Sequence, residues 1–158
     1  MTRAAPADKL ARMSEHVARI RWKRVTPDFA YETYGRDHTV TFGGGSTIAA
    51  SSAEQFRGRP ELANPEEMLV AALSSCHMLT FLAIAARKRL VVDAYEDDAI
   101  GYLTENEDRR LWVSRVILRP RIRFATPVDP EQLRKMHELS HRGCFIASSV
   151  RTVVEVEG

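Results

Sequence analysis

Hydrophobic and polar residues begin to alternate at position 17. Val17, Ile20 and Trp22 are set against Arg19, Arg21 and Lys23, and this predicts a strand over 17–24. Residues 1–16 read as a polar lead-in with a short helix over 7–15. Residues 31–34 look extended, Gly35 allows a turn, and 38–42 reads as another strand. The three glycines at 43–45 signal a hairpin or loop. With no Lys-Ser/Thr after them they do not form a phosphate loop. A polar connector carrying Gly58 and Pro60 fills 51–63.

The strongest local signal follows. Asn64 can cap a helix through its side-chain oxygen, and Pro65 suits the first helical position, where a missing N–H costs nothing. Glu66 and Glu67 place negative charge at the positive helix end, with Glu67 at the capping-box position. The helix is expected to run from 65 to about 89, where Arg87, Lys88 and Arg89 favour its C-terminal end. It is apolar on nearly every face, which places it inside the fold.

Beyond it, 91–102 and 111–124 read as strands, the latter as segments around 111–113 and 116–118, with a turn at 106–110. Residues 127–130 lead into a second helix over 131–142, ended by Gly143. A short helical turn is expected at 145–150 and a closing strand at 151–156. No repeat, low-complexity tract or linker divides the chain, so 1–158 is read as one domain.

Composition narrows the function classes. Of 158 residues, 44% are hydrophobic and 28% charged, an ordinary globular balance. A net charge of +2 argues against attachment to nucleic-acid phosphates or anionic lipid. The basic groups Arg19, Arg21, Lys23, Arg24 and Arg119, Arg121, Arg123 read as solvated strand faces. Trp22 and Trp112 suit strand cores better than base-stacking platforms. The first ten residues lack the apolar segment and cleavage site of a secretory signal, so a cytoplasmic location is expected. The apolar run 68–86 approaches the length of a membrane span, but it holds Ser74, Ser75, His77 and Thr80, and no membrane association is expected.

Two cysteines, Cys76 and Cys144, remain. As a count they favour inert packing, because a cytoplasmic chain keeps its thiols reduced. Cys76 lies within the central helix, where burial makes a thiol inert unless a cation or strong donor offsets it. His77 is adjacent in sequence but points about 100° away on a helix. His137, His141 and Cys144 are spaced as His-x3-His-x2-Cys, which could begin a metal site. Without a second Cys/His pair to close it, no metal and no cofactor are expected.

The segment 64–81, from Asn64-Pro-Glu-Glu through Ser-Ser-Cys76-His to Phe81, resembles the central-helix motif of the OsmC/Ohr family. His141-Arg-Gly-Cys144-Phe-Ile-Ala-Ser-Ser-Val150 resembles that family's second cysteine motif, and Tyr34-Gly-Arg36-Asp-His38 is similar to its arginine-bearing turn. The likeness extends over about 20–157 in order and spacing. It implies an α+β fold, with two long helices packed against curved antiparallel sheets in an intertwined homodimer. It also implies a thiol-dependent peroxidase. Cys76 would attack the peroxide and become a sulfenic acid, and Cys144 would resolve it to a disulfide. Arg36 would stabilise the thiolate, and Glu66 would hold the arginine. His38 and His77 are possible assisting groups. The substrate would be an organic or hydrogen peroxide, and a dihydrolipoyl or low-molecular-weight thiol would be the reductant. Many members carry Pro directly after the second cysteine and Asn four residues after it, where this chain has Phe145 and Ser148. Phe145 adds apolar surface that suits an organic hydroperoxide. A non-catalytic stress-related binding protein on the same fold and a His/Cys metal-binding protein are the alternatives.

Glu66 and Cys76 are ten residues apart in one helix, about 15 Å along its axis. No glutamate side chain spans that distance. If both serve one site, Glu66 must reach the cysteine of a partner subunit, and dimerisation becomes a condition of activity.

Overall fold

The computed structural model describes residues 14–157. The helix read at 7–15 lies outside them except for Ser14 and Glu15, which are irregular. The chain divides into two compact units, Met1–Asn64 and Pro65–Gly158.

In the first unit, strands β1 (Ala18–Arg21), β2 (His38–Phe42) and β3 (Thr47–Ala50) form an antiparallel sheet in that order, with Ile20 opposite Val40 and Val40 opposite Ile48. Val40 and Ala50 are buried, whereas β1 is exposed throughout. Residues 31–34 form a turn and not the extended segment expected: Thr33 and Tyr34 both donate their backbone N–H to Ala30 O, at 3.1 and 3.0 Å. Local polar groups favour the turn. Asp28 accepts the Thr33 hydroxyl at 2.5 Å, and the Arg36 guanidinium gathers the carbonyls of Tyr31 and Tyr34. An alternation of aromatic and polar residues carries no sign of such bonds. The connector contains a single 3-10 turn, Glu54–Phe56, before the chain returns to β3 through a bridge between Ala50 and Ala63.

The second unit opens with helix α1, Pro65–Arg87. It ends slightly before the expected residue 89 because Arg89 adopts a left-handed φ of 59°. Arg89 N–H then reaches Ala86 O at 3.0 Å and Leu90 N–H reaches Ala85 O at 2.9 Å, the paired bonds of a Schellman stop. Arginine stands where glycine is usual, which is why the stop was not visible in the sequence. Strands β4 (Val92–Asp97), β5 (Ile100–Glu105), β6 (Leu111–Leu118) and β7 (Pro120–Phe124) follow, then helix α2 (Pro130–Gly143) and strand β8 (Val153–Val156). β4 pairs with β7, and β5, β6 and β8 form a second sheet with β6 in the centre. β6 is one continuous strand, not two segments. β8 lies parallel to it, so the sheets are not wholly antiparallel as expected. The class is α+β.

α1 joins two apolar clusters. Its N-terminal half packs Leu73 with Val116 and Leu118, assisted by Val70, Val113 and Val154. Gly101 on β5 permits this approach, because a Cβ there would lie 2.5 Å from Val70 Cγ2. The C-terminal half packs Phe81 and Ala85 with Met136 of α2, over Tyr95, Ile122 and Phe124. Only one stripe of α1 is buried, however: Leu73, His77, Phe81 and Ala85. Ala71, Ala72, Ser75, Leu79 and Ala83 are exposed, which corrects the expectation that the helix lies wholly inside. By length and composition alone α1 could cross a membrane, a test that core helices also pass.

α2 begins one residue before the expected start, with Asp129 as its cap: the Asp129 carboxylate accepts Gln132 N–H at 3.0 Å. Asp129→Ala is expected to cost about 1 kcal/mol, read as a lower urea midpoint at unchanged slope. Gly143 does not act as the left-handed stop expected of it. It lies in the last helical turn, and Cys144 itself leaves the helix at φ −76°, ψ 111°.

Candidate active site

Cys76 lies on α1 between the two apolar clusters, three residues after Leu73 and five before Phe81. Cys144 is the C-cap of α2 and opens the turn that leads to the 3-10 segment Ala147–Ser149. Both cysteines are free, and Cys76 is near enough to bear on the titration of Cys144. Their environments differ. Cys76 is half-buried, and Cys144 is 1% exposed. Burial pushes the Cys144 thiol up, and Cys76 adds to this. The backbone N–H groups of Ala147, 3.4 Å from the sulfur, and of Ile146 oppose the rise. Cys144 is therefore held as a thiol at neutral pH. Cys76 is the cysteine a solute can approach.

Behind Cys76, the buried His77 and His137 rings stack at an interplanar angle of 9°, with His77 Nε2 and His137 Nδ1 3.1 Å apart. Desolvation, together with His137 and His141, lowers His77 to about 4, and desolvation also lowers His137. Both rings are thus neutral near pH 7, and one ring donates its N–H to the other across this contact. His77 Nδ1, His137 Nε2 and His141 Nδ1 are buried without a hydrogen-bond partner among the described residues. No group of three or more His, Cys, Asp or Glu side chains among the described residues could hold an ion, and His137 turns to His77 instead.

Asp97, at the end of β4, belongs to the site although no sequence pattern marks it. Its carboxylate accepts the Ser74 hydroxyl at 2.5 Å and the Arg119 N–H at 2.6 Å, which ties the helical turn carrying Cys76 to β4. Its charge also bears on His77, His137 and Tyr95. Nothing in the local sequence around Asp97 signals this, because its partners are 23 and 22 residues away.

Glu66 occupies the first turn of α1, and its Oε2 is buried with no hydrogen-bond partner among the described residues. Because α1 is unbroken between them, Glu66 and Cys76 of one chain do not converge. Arg36 and His38 belong to the first unit. The Arg36 guanidinium donates to the carbonyls of Phe56 (3.0 Å), Tyr34 (2.5 Å) and Tyr31 (2.6 Å), and it lies 3.9 Å over the Tyr34 ring. The Tyr34 face supports the cation while the carbonyls fix its plane. His38 Nδ1 donates to Arg36 O at 2.8 Å.

An α+β chain that brings two free, unlike thiols together where a long helix meets the end of a second defines a two-cysteine protein. Residues 58–157 match the family model described as OsmC-like protein. An OsmC-like protein of unknown function from Vibrio cholerae O1 biovar eltor is 45% identical in sequence, and the match covers 92% of this chain and 99% of that one with a TM-score of 0.84. Two organic hydroperoxide resistance proteins share the fold at lower identity. One, from Legionella pneumophila, is 15% identical, with 92% and 95% covered and a TM-score of 0.69. The other, from Elizabethkingia anophelis, is 18% identical, with 91% and 93% covered and a TM-score of 0.69. No curated protein matches the chain. The chain belongs to the OsmC-like protein family.

Proposed function

We propose that this protein is a cysteine-based peroxidase that reduces organic hydroperoxides through Cys76 and Cys144. The observation that carries the reading is the pairing of a free, half-buried Cys76 with a free, buried Cys144, whose thiol is pushed up by burial and by Cys76. The Cys76 thiolate attacks the distal peroxide oxygen. The O–O bond breaks, the alkoxide takes a proton from water and leaves as the alcohol, and Cys76 holds a sulfenic acid. Cys144 sulfur then attacks Cys76 sulfur, the S–O bond breaks, and the Cys144 proton leaves with the hydroxide as water. An external dithiol or low-molecular-weight thiol returns the disulfide to two thiols, which fits a reducing cytoplasm.

Arg36 and Glu66 are assigned to this chemistry by family resemblance. Three of the five guanidinium N–H groups of Arg36 are on carbonyls, which leaves two for a sulfur or peroxide oxygen. Phe145, directly after the resolving cysteine and 81% exposed, supports an organic substrate over hydrogen peroxide. The test is peroxide consumption coupled to a dithiol reductant, with cumene hydroperoxide and hydrogen peroxide as separate substrates. Faster turnover of the organic peroxide is expected; thiols that persist with both oxidants contradict the proposal.

The working unit in this proposal is a homodimer. Ala71, Ala72, Leu79 and Ala83 form an exposed apolar stripe on α1 that a second copy would cover. The Glu66 carboxylate oxygen, buried without a hydrogen-bond partner among the described residues, is open to a group from a second copy. Mixing inactive Cys76→Ser with weakened Glu66→Gln subunits is expected to restore activity, because one mixed site then holds an intact cysteine and an intact glutamate. No recovery on subunit exchange would place Glu66 outside the other subunit's site.

A further inference from the structure

Gly143 occupies an ordinary helical position at the end of α2, where glycine is the least favoured residue after proline. No left-handed turn explains it. Its surroundings do: a Cβ at this position would lie 3.1 Å from Thr80 Cγ2 on α1. Thr80 in turn donates its hydroxyl to Cys76 O at 2.9 Å. Thr80 and Cys76 are four residues apart, so they are neighbours on one face of α1, about 6 Å apart along its axis. Gly143 and Cys144 are consecutive. The end of α2 therefore lies against α1 at Gly143 and Thr80, and one helical turn away Cys144 is near enough to Cys76 for the two thiols to influence each other.

We infer that the Gly143–Thr80 contact is a positioning device that sets the approach of Cys144 to Cys76 and so governs how fast the disulfide closes. Gly143 touches neither sulfur and acts through the backbone that carries Cys144. A methyl group at 143 calls for a shift of a few tenths of an ångström between the end of α2 and Thr80, and Thr80 yields poorly because its branched side chain is tied to the backbone of α1. The displacement is transmitted to the next residue, Cys144, whose sulfur must meet Cys76 in line with the leaving group. A misplacement of about 1 Å in such geometry costs about a hundredfold in rate, and a few tenths of an ångström about tenfold or less.

This inference builds on the proposed resolving role of Cys144, and the experiment separates the two. Purified full-length protein, reduced and then treated with diamide, forms a disulfide without any peroxide step. Gly143→Ala is expected to close the Cys76–Cys144 bond about tenfold more slowly than wild type. Because alanine is the better helix former, the variant should keep its helical circular dichroism. With cumene hydroperoxide the same variant should accumulate a dimedone-reactive Cys76 sulfenate. Thr80→Ser removes Cγ2 and keeps the hydroxyl, so Gly143→Ala/Thr80→Ser should regain closure to within about threefold of wild type. A wild-type closure rate in Gly143→Ala overturns the inference, as does a slow rate that Thr80→Ser leaves unchanged. If wild type closes with diamide but never reacts with peroxide, the peroxidase reading fails and the positioning role stands.

Discussion

Cys76→Ser is expected to lose peroxide reduction by about a thousandfold or more, whereas Cys144→Ser should retain one rapid turnover and then stop. The asymmetry follows from the two environments. Cys76 is the accessible sulfur, and a serine hydroxyl cannot replace a thiolate as nucleophile toward the O–O bond. Cys144 is buried and pushed toward its protonated form, which suits it to act second. With Cys144 replaced, the Cys76 sulfenate has no partner thiol. It should either be trapped by dimedone or progress to the sulfinic acid with excess peroxide. Stopped-flow peroxide consumption with mass analysis of each variant reads both outcomes. Equal loss in the two variants during the first turnover would contradict the assigned order.

Acidification from pH 6.5 to pH 4 is expected to remove about 3 kcal/mol of stability through His77 alone. In the unfolded chain the imidazole has its ordinary value of 6.5, and in the folded chain it is lowered to about 4. The unfolded state therefore binds the proton first, and stability is fully present above pH 6.5 and lost as pH falls toward 4. His77 is 1% exposed, so solvent does little to relieve the cost of charging it. The groups around it pull in opposite directions. His137 and His141 disfavour its charge, and Asp97 favours it. His137, lowered by its own burial, adds to the loss in the same direction. Urea unfolding across this range measures the effect. His77→Gln, which can still offer a polar group to His137 but cannot take up the proton, should lose more than half of the pH dependence. An unchanged slope in that variant would place the acid sensitivity elsewhere.

Much of the site was legible in the sequence because its carriers are local. Asn64, Pro65 and the two following glutamates marked the start of α1 at Pro65, where the helix begins. The two cysteine motifs identified the residues that the fold then brings together. What stayed hidden depends on partners distant in the chain. The His77–His137 pair joins residues sixty apart, and Asp97 reaches its two partners from another strand. Gly143 was visible as a helix stop, yet its value lies in the space it leaves for Thr80. Arg89 ends α1 in a conformation usually given to glycine, and no pattern of apolar residues signals that. The single buried stripe of α1 was hidden too, since a helix apolar on every face does not say which face its own chain covers.

The pairing of Cys76 with Cys144 as a redox couple is the centre of the function proposed. It is tested most directly by peptide mass analysis of the wild-type protein after one equivalent of cumene hydroperoxide under non-reducing conditions. The expected result is one disulfide-linked species joining the Cys76 and Cys144 peptides, with the loss of two hydrogens and reversal by a dithiol. Recovery of both cysteine peptides as free thiols would contradict it.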